Sequence, residues 1–383
     1  MNWRYSESFA GIGALGKAIH RVANRHGDSA ELQWYSEIEN HVSEQFAAIH
    51  GVSEELNIGD ITKKREIKPV DFFWMSPPCQ PFTFSGLREG TTIEKGMLFY
   101  HSLEKLIQSN AKYSIMENVQ GLPSGDTKKD FNDMLKALEA AGYVNDWKIL
   151  RGDEFNIPQG RPRVFVVSIR KDIYDSGKRF EFPQPKKLTT LFKDILEDHV
   201  EEKYFLSDKM LENFNVKITS GNQIGFINQD TQASKVYNIE RIAPTLCSGT
   251  HGYANGYIYV PTLTKQGFQK AYEGDAIRLD RLGSDNPTGR GRVNKKVSMT
   301  LLTACNVGTM QDGSIRKITP LETYRLDGFD DDDFYKAKNS GKGKTDTQLY
   351  FTGGNTVIVN VIEEMLENLL YDRKQDGQQL SLF

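Results

Sequence analysis

The chain has 383 residues with 38% hydrophobic and 26% charged content, values of an ordinary globular protein with room for one large domain and a smaller one. A net charge of -3 excludes a global polycation, so any nucleic-acid surface must be made locally by segregating charge. Three scattered cysteines, Cys79, Cys247 and Cys305, exclude a disulfide framework and a cysteine-based metal site. No apolar run approaches the length of a membrane span. The opening MNWRYSESFAG lacks the zones of a signal peptide, so a cytoplasmic, nucleoid-associated protein is expected.

The first 170 residues alternate strand and helix signals. WRYSES reads as a strand ending at FAGIGALG, after which Leu15, Ala18, Ile19, Val22 and Ala23 fall at helical spacing. LQWYSEIE is a second strand, and Val42 to His50 a helix closed by Gly51. VDFFWMS and KYSIMEN are continuous apolar strands, as in a parallel sheet covered on both faces. Met97 to Ile107 reads as a helix, as does the segment whose face is Phe131, Met134, Leu135 and Leu138. RVFVVSIR is the last clear strand of this part. The order predicts an α/β fold, Rossmann-like, with a mostly parallel sheet and helices on both faces.

The texture then changes. Residues 186 to 315 are rich in Gly, Asn, Thr, Lys and Arg with short β-like runs. RIAPTLCSGTHGYANGYI and KVSMTLLTACNVGTMQDGSI echo each other, each a Thr-Leu step before a Gly-bearing loop, either two similar hairpins or chance. Residues 316 to 372 regain helical character. The expected division is 1-182, a catalytic and cofactor-binding domain; 183-315, a smaller, irregular β-rich domain; 316-372, a return to the first domain; and 373-383, a flexible tail.

Ligands collect at the carboxyl ends of such strands, and the unusual motifs lie there. Gly11 and Gly13 let the backbone approach a ligand at a helix N-terminus. Gly16 completes a spacing that leaves a dinucleotide site open. Glu37 suits ribose hydroxyls, Asp60 an adenine amino group, and Ile61 a ring face. Two prolines, Pro77 and Pro78, make a stiff strand exit that aims Cys79, flanked by Gln80, Thr83, Ser85 and Gly86. That is loop chemistry, and it favours a reactive thiol over a buried structural cysteine. Glu117, Asn118, Gln159, Arg161 and Arg163 follow at later strand ends. A carboxyl group with two arginines beside a thiol suits a planar, hydrogen-bonding substrate, although Glu117 with Arg163 also reads as a buried ion pair.

These residues resemble the DNA (cytosine-5) methyltransferases, with six motifs in the family's order. They are FAGIG, PPCQPF, ENV, QGRPR, RKITPLETYRLDGF and GGNTVIVNV. Ala14 and Pro162 depart from the usual wording without removing a functional group. The resemblance implies methyl transfer from S-adenosyl-L-methionine to carbon 5 of a flipped-out cytosine, through a covalent Cys79 adduct at carbon 6. It assigns Glu117 to the ring nitrogen and exocyclic amine, Arg163 to the base oxygen, and Arg161 to a phosphate or the loop. It places Phe9, Gly11 and Gly13 at the methionine part, Glu37 at the ribose, Ile38 and Ile61 at the adenine faces and Asp60 at its amino group. Pro78, Leu98, Asn355 and Val357 finish that pocket.

Amino-methyltransferases share a Ser-Pro-Pro turn but follow it with an aromatic residue where this chain has Cys79. A tRNA-methylating branch shares PPCQPFT but has little between the arginine motif and the C-terminal motifs. The long stretch here favours double-stranded DNA, with a target-recognition domain. Gln80 and Ser85 would border the emptied site, and Arg278, Arg281, Arg290, Arg292, Lys295 and Lys296 would meet DNA. The resemblance is to the bacterial or phage type, restriction-modification-like or orphan, and the alternatives are a tRNA cytosine-5 methyltransferase or a catalytically silent DNA-binding regulator on the same fold. The family implies a monomer. The last residues, including Gln379, Leu380, Leu382 and Phe383, resemble the short peptide by which bacterial proteins bind the replication sliding clamp, or form a tail packed on its own domain.

Overall fold

Apolar runs separated by amphipathic stretches build a central sheet. The structure, a computed structural model, describes residues 1–78, 97–207, 223–226, 235–237, 257–261, 268–279, 293–311 and 314–371. Six strands, β1 (Asn2–Ser8), β2 (Ser29–Ser36), β3 (Phe72–Met75), β4 (Tyr113–Val119), β5 (Tyr143–Leu150) and β6 (Arg163–Arg170), lie in the order β2-β1-β3-β4-β6-β5. Strands β2, β1, β3 and β4 are parallel to one another. Strand β6 runs antiparallel to both β4 and β5. The mostly parallel α/β sheet expected from the sequence is therefore present, with one reversed strand.

Strand β5 escapes sequence reading for a physical reason. It is an edge strand paired only with β6, and its run YVNDWKIL leaves Asp146 and Trp147 exposed. An edge strand covered on one face lacks the continuous apolar signal that marks β3 and β4.

Alternation along the strands divides the core into two layers. Phe72, Trp74, Ile115 and Phe165 join one cluster, and Phe73, Met75, Met116 and Val166 the other. The first is covered by α1 (Ala14–Arg25), whose Leu15, Ala18, Ile19, Val22 and Ala23 are all buried. Helix α2 (Asn40–His50) ends at Gly51 in the left-handed conformation, the expected stop. The second layer is covered by α3 (Leu98–Ser109) and α4 (Lys128–Ala140), with the short α5 (Lys171–Asp175) following β6.

Past residue 183 the strands are short. β7 (Gln223–Phe226) pairs with β8 (Lys235–Tyr237), and β9 (Tyr257–Pro261) with β10 (Phe268–Tyr272). Strands β11 (Ala276–Arg278), β12 (Val293–Asn294), β13 (Val307–Gln311) and β14 (Ser314–Lys317) form an antiparallel sheet in the order β12-β11-β13-β14. The first half of the suggested repeat lies largely outside the described residues. The chain then returns through α6 (Pro320–Leu326), α7 (Asp331–Asn339), α8 (Asp346–Asn355) and α9 (Val359–Tyr371). Thr319 caps α6, accepting from the Glu322 N–H at 3.2 Å while the Glu322 carboxylate accepts from the Thr319 N–H at 2.7 Å. Helix α9 packs along α1, so the last described helix completes the layer that the first one began. Among the described residues no helix is long and apolar enough to cross a membrane.

Candidate active site

In-register parallel strands bring Ser8, Ser36 and Met75 to one edge of the sheet, where Phe9–Gly11, Glu37, Pro77–Pro78 and Glu117–Asn118 gather. Strand β6 supplies Arg163 to the same edge because it runs backwards. Its first residue pairs with Val119, the last residue of β4. A cavity of about 740 Å³ opens above this edge. Phe9, Gly11, Glu37 and Ile38 line one end, Glu117, Arg161 and Arg163 the other, and Ser76, Pro77 and Pro78 lie among the lining residues.

The turn after β1 is strained into shape. Phe9 (φ 57°), Gly11 (φ 56°) and Gly13 (φ 80°) all have left-handed backbones. Gly13 has no alternative, because a Cβ there would sit 2.1 Å from Nε2 of His50. His50 in turn bonds the Ile12 carbonyl oxygen at 3.1 Å, and burial pushes its pKa down to about 4. A neutral imidazole thus wedges under the turn. Beside it Glu7, fully enclosed, accepts from the Gly16 N–H at 2.9 Å, and burial lifts its carboxyl to about 8.

Glu37 closes this end. Its two carboxylate oxygens accept from the Gly11 N–H at 3.1 Å and the Glu39 N–H at 3.0 Å. Burial, the largest influence, raises its pKa against those backbone donors. Its own backbone is pinned by Asn57, which exchanges bonds of 3.1 and 2.9 Å with the Glu37 N–H and C=O. A carboxylate held this firmly, with no cation paired to it among the described residues, suits a pair of ligand hydroxyls. Ile38 is 68% exposed and lines the cavity, an apolar face free to take a ring. These residues fit an adenosine-bearing group.

The sequence reading placed more residues here than the structure brings together. Gly13 lies behind the turn against His50, and Ile61 is 3% exposed, packed with Trp34 and Phe73 in the second core layer. Val357 is 8% exposed in the first core layer, and Leu98, half-buried, packs on the second. Asp60 spends Oδ1 on the Thr62 N–H and hydroxyl at 2.9 and 2.8 Å, which lower its pKa. None of these five is among the residues lining the cavity, whereas Pro78 and Asn355 are.

At the other end Glu117 is nearly buried and held from two sides. The Ser76 hydroxyl donates to Oε2 at 2.5 Å and Arg163 Nε lies 3.0 Å from Oε1. Asn118, next along, donates to the Pro77 carbonyl oxygen at 2.8 Å. That bond fixes the peptide two residues before Cys79. Cys79, Gln80 and Ser85 themselves lie outside the described residues.

Arg161 does not reach toward solvent. It is 4% exposed and donates to the carbonyl oxygens of Leu301 at 3.1 Å and Gly354 at 2.7 Å. Burial, then the charge of Arg163, pulls its pKa down to about 10. Its described partners are thus the backbone at Leu301 and Gly354. Gln159 works alongside, donating to the Leu326 carbonyl oxygen at 2.9 Å and to Asp327 at 3.1 Å. Asp327 is wholly buried, and burial lifts its pKa to about 7.

The strap Thr300–Ala304 lines the cavity and was not foreseen as part of it. Its signal was the Thr-Leu step of the second echo segment. Phe351 and Thr352 of α8 are also lining residues that sequence reading missed. A second cleft of about 570 Å³ adjoins, lined by Gln120, Arg151, Arg278, Asn294 and Lys295 and sharing Thr300 and Leu302 with the first. Lys295 pairs with Asp275 and lies 4.2 Å over the Tyr272 ring, and Lys296 is exposed with φ 68°. Arg281, Arg290 and Arg292 are outside the described residues, as is Cys247. Cys305 is buried, and burial raises its thiol to about 11, which marks it as structural.

Comparison with known proteins agrees with this geometry. The family model described as C-5 cytosine-specific DNA methylase matches residues 4–371. The chain is 29% identical to the orphan methyltransferase M.SPRI of Bacillus phage SPR, covering 96% of this chain and 97% of that protein. It is 32% identical to the type II methyltransferase M.DsaV of Dactylococcopsis salina over 58% of this chain and 62% of that one. Among solved structures, S. pombe Dnmt2 methyltransferase superposes with a TM-score of 0.56 at 19% identity, covering 97% of this chain and 99% of that one. A putative DNA modification methyltransferase encoded within an E. coli prophage gives 0.56 at 18% identity, with 96% and 99% covered. These two likenesses concern the fold.

Proposed function

Because the chain belongs to the C-5 cytosine-specific DNA methylase family, we propose that it methylates carbon 5 of a cytosine extruded from duplex DNA at a specific sequence. The single observation that carries this reading is the shared cavity, with the backbone-held Glu37 carboxylate and an exposed isoleucine at one end and the Glu117–Arg163 pair at the other. S-Adenosyl-L-methionine, held by Glu37, Ile38 and the Phe9–Gly11 turn, supplies an electrophilic methyl group.

The chain's own groups prepare the base to accept it. The Cys79 thiolate adds to carbon 6, and the displaced electron pair makes carbon 5 enamine-like. Glu117 faces the ring nitrogen at position 3 and the exocyclic amine, and Arg163 the base oxygen, so addition builds charge where these groups can answer it. Carbon 5 would form its bond to the methyl group as the methyl–sulfur bond breaks and the sulfonium leaves as a neutral thioether; loss of the carbon 5 proton to a base then re-forms the 5,6 double bond and expels the Cys79 thiolate. Asn118 positions the Pro77–Pro78 exit that aims the nucleophile. Extrusion of the base costs a few kcal/mol before any of this begins.

Arg278 and Lys295 line the adjoining cleft and supply cations to its DNA side, and Arg281, Arg290, Arg292 and Lys296 are further candidates for DNA contact. The terminal peptide Gln379 to Phe383 lies outside the described residues. Its proposed role in clamp binding predicts that deleting residues 379 to 383 abolishes clamp binding and spares methylation.

Methyl transfer to unmethylated genomic DNA, read by base-resolution sequencing for wild type and Cys79→Ser, tests the main reading. Methylcytosine at one recurring motif, lost in the variant, is the expected result. Transfer to tRNA alone, or to neither nucleic acid, overturns it.

A further inference from the structure

Leu302 is an apolar side chain in a polar place. It is 47% exposed, yet it lines both the cavity holding Glu117 and the adjoining cleft that contains Arg151, Arg278 and Lys295. It therefore stands on the rim that separates them.

Its backbone is unusually well fixed for so exposed a residue. The Leu302 N–H donates to Asn306 Oδ1 at 3.0 Å, and its carbonyl oxygen accepts from the Cys305 N–H at 2.9 Å. The preceding carbonyl, of Leu301, is held by Arg161. Helix α8 presses on the strap so closely that a Cβ on Gly354 would lie 2.7 Å from the Leu302 carbonyl carbon. An exposed leucine on a rigid mount is poised to touch something apolar that arrives later.

A nucleotide leaving a duplex in the cleft for the cavity must cross this rim. We propose that Leu302 is a positioning residue for extrusion, packing against the deoxyribose of the departing nucleotide and holding it out of the base stack. The inference rests on the cytosine-methylation reading above. The C–H face of the sugar is the apolar surface that a leucine can cover, and the cations of the cleft hold the phosphates on either side. Leu302 takes no part in bond making, so its effect falls on the population of the extruded state.

The test compares two duplexes carrying the motif that sequencing identifies. One has the target cytosine paired with guanine, the other places it opposite an abasic site so that no pair need be broken. Leu302→Ala should lower kcat/KM on the paired duplex by about tenfold, the scale expected when a leucine side chain no longer covers the sugar. On the abasic duplex it should stay within about twofold of wild type, since little extrusion cost remains. Leu302→Met, which keeps the apolar bulk, should restore the paired duplex. Equal losses on both duplexes would assign Leu302 a merely structural role and overturn the proposal, as would no loss on the paired one. Absence of methyl transfer by the wild-type chain to either duplex is a separate outcome, which fails the methylation reading and this inference with it.

Discussion

The two ends of the cavity are built by different rules. The end formed by Phe9, Gly11, Glu37 and Ile38 is local, because these residues sit in two successive loops at the ends of adjacent parallel strands. The end formed by Glu117 and Arg163 has a front of the same kind, but its back wall is long-range. Arg161 binds a carbonyl 140 residues away and another 193 away, and Gln159 one 167 away. The first end is a product of strand order, and the second of the chain's return after a long excursion. Damage at the first should therefore be felt as weakened cofactor binding, and damage at the second as slowed chemistry or a loosened wall.

The sharpest way to break that comparison is Glu117→Ala. It removes the carboxyl group facing the base and leaves the Glu37 end untouched. Methylation should fall by about a thousandfold, the scale of a lost acid–base partner, with cofactor affinity measured by calorimetry unchanged. A parallel loss of cofactor affinity would mean that the two ends are one mechanical unit.

Two buried groups, one near each end, should respond to acid and alkali with opposite sign. His50, under the glycine turn, has its folded pKa pushed below the ordinary value of 6.5 to about 4. Its stabilising contribution is present above pH 6.5 and is lost as pH falls through 4, up to about 3 kcal/mol. Asp327, in the back wall, has its pKa raised from 3.8 to about 7. Its contribution is full below pH 3.8 and is lost as pH rises through 7, on the order of 4 kcal/mol at most. Denaturant melts across pH should show a flatter acid limb for His50→Gln and a flatter alkaline limb for Asp327→Asn, each relative to wild type. Unchanged limbs in either variant would show that the titrating group is another one.

Gly354→Ala probes the joint between the ends. The added Cβ would lie 2.6 Å from the Thr303 nitrogen, a backbone atom that can yield only if the strap moves. The cost should be about 2 kcal/mol of stability, typical of overpacking. DNA methylation should fall more than cofactor affinity, because the strap lines the base side while α8 keeps its place. The reverse ranking would put the strain on α8 and its Asn355.

The same division governs what the sequence made legible. The sheet was readable because β3 and the middle of β4 are buried on both faces and so write apolar runs. Glu37, Glu117 and Arg163 were readable because each lies at or near a strand end. The Thr300–Ala304 strap was not, because its local mark, a Thr-Leu step, says nothing of a role that comes from contact with Arg161 and Gly354. Asp327 was hidden inside a recognisable motif, where its burial, not its identity, gives it an altered charge state. Residues chosen by proximity in sequence fared unevenly for a related reason. Glu37 and Ile38 directly follow a strand, whereas Asp60 and Ile61 follow only a 3-10 turn, and one turns to Thr62 and the other into the core.

The two isoleucines give the finest test of the comparison. Ile38 is 68% exposed and Ile61 is 3% exposed, though sequence alone assigns both to an adenine ring. If exposure decides the role, Ile38→Ala should weaken cofactor binding by about 1 kcal/mol, roughly fivefold in Kd, since it removes part of one apolar face. Its melting temperature should not move, because the side chain supports nothing in the fold. Ile61→Ala should do the opposite and destabilise by about 3 kcal/mol through a core cavity, with cofactor affinity of the folded fraction preserved. Equal effects of the two substitutions on cofactor affinity would show that Ile61 reaches the ligand through a rearrangement, and that the local end of the cavity closes on its ligand instead of waiting preformed.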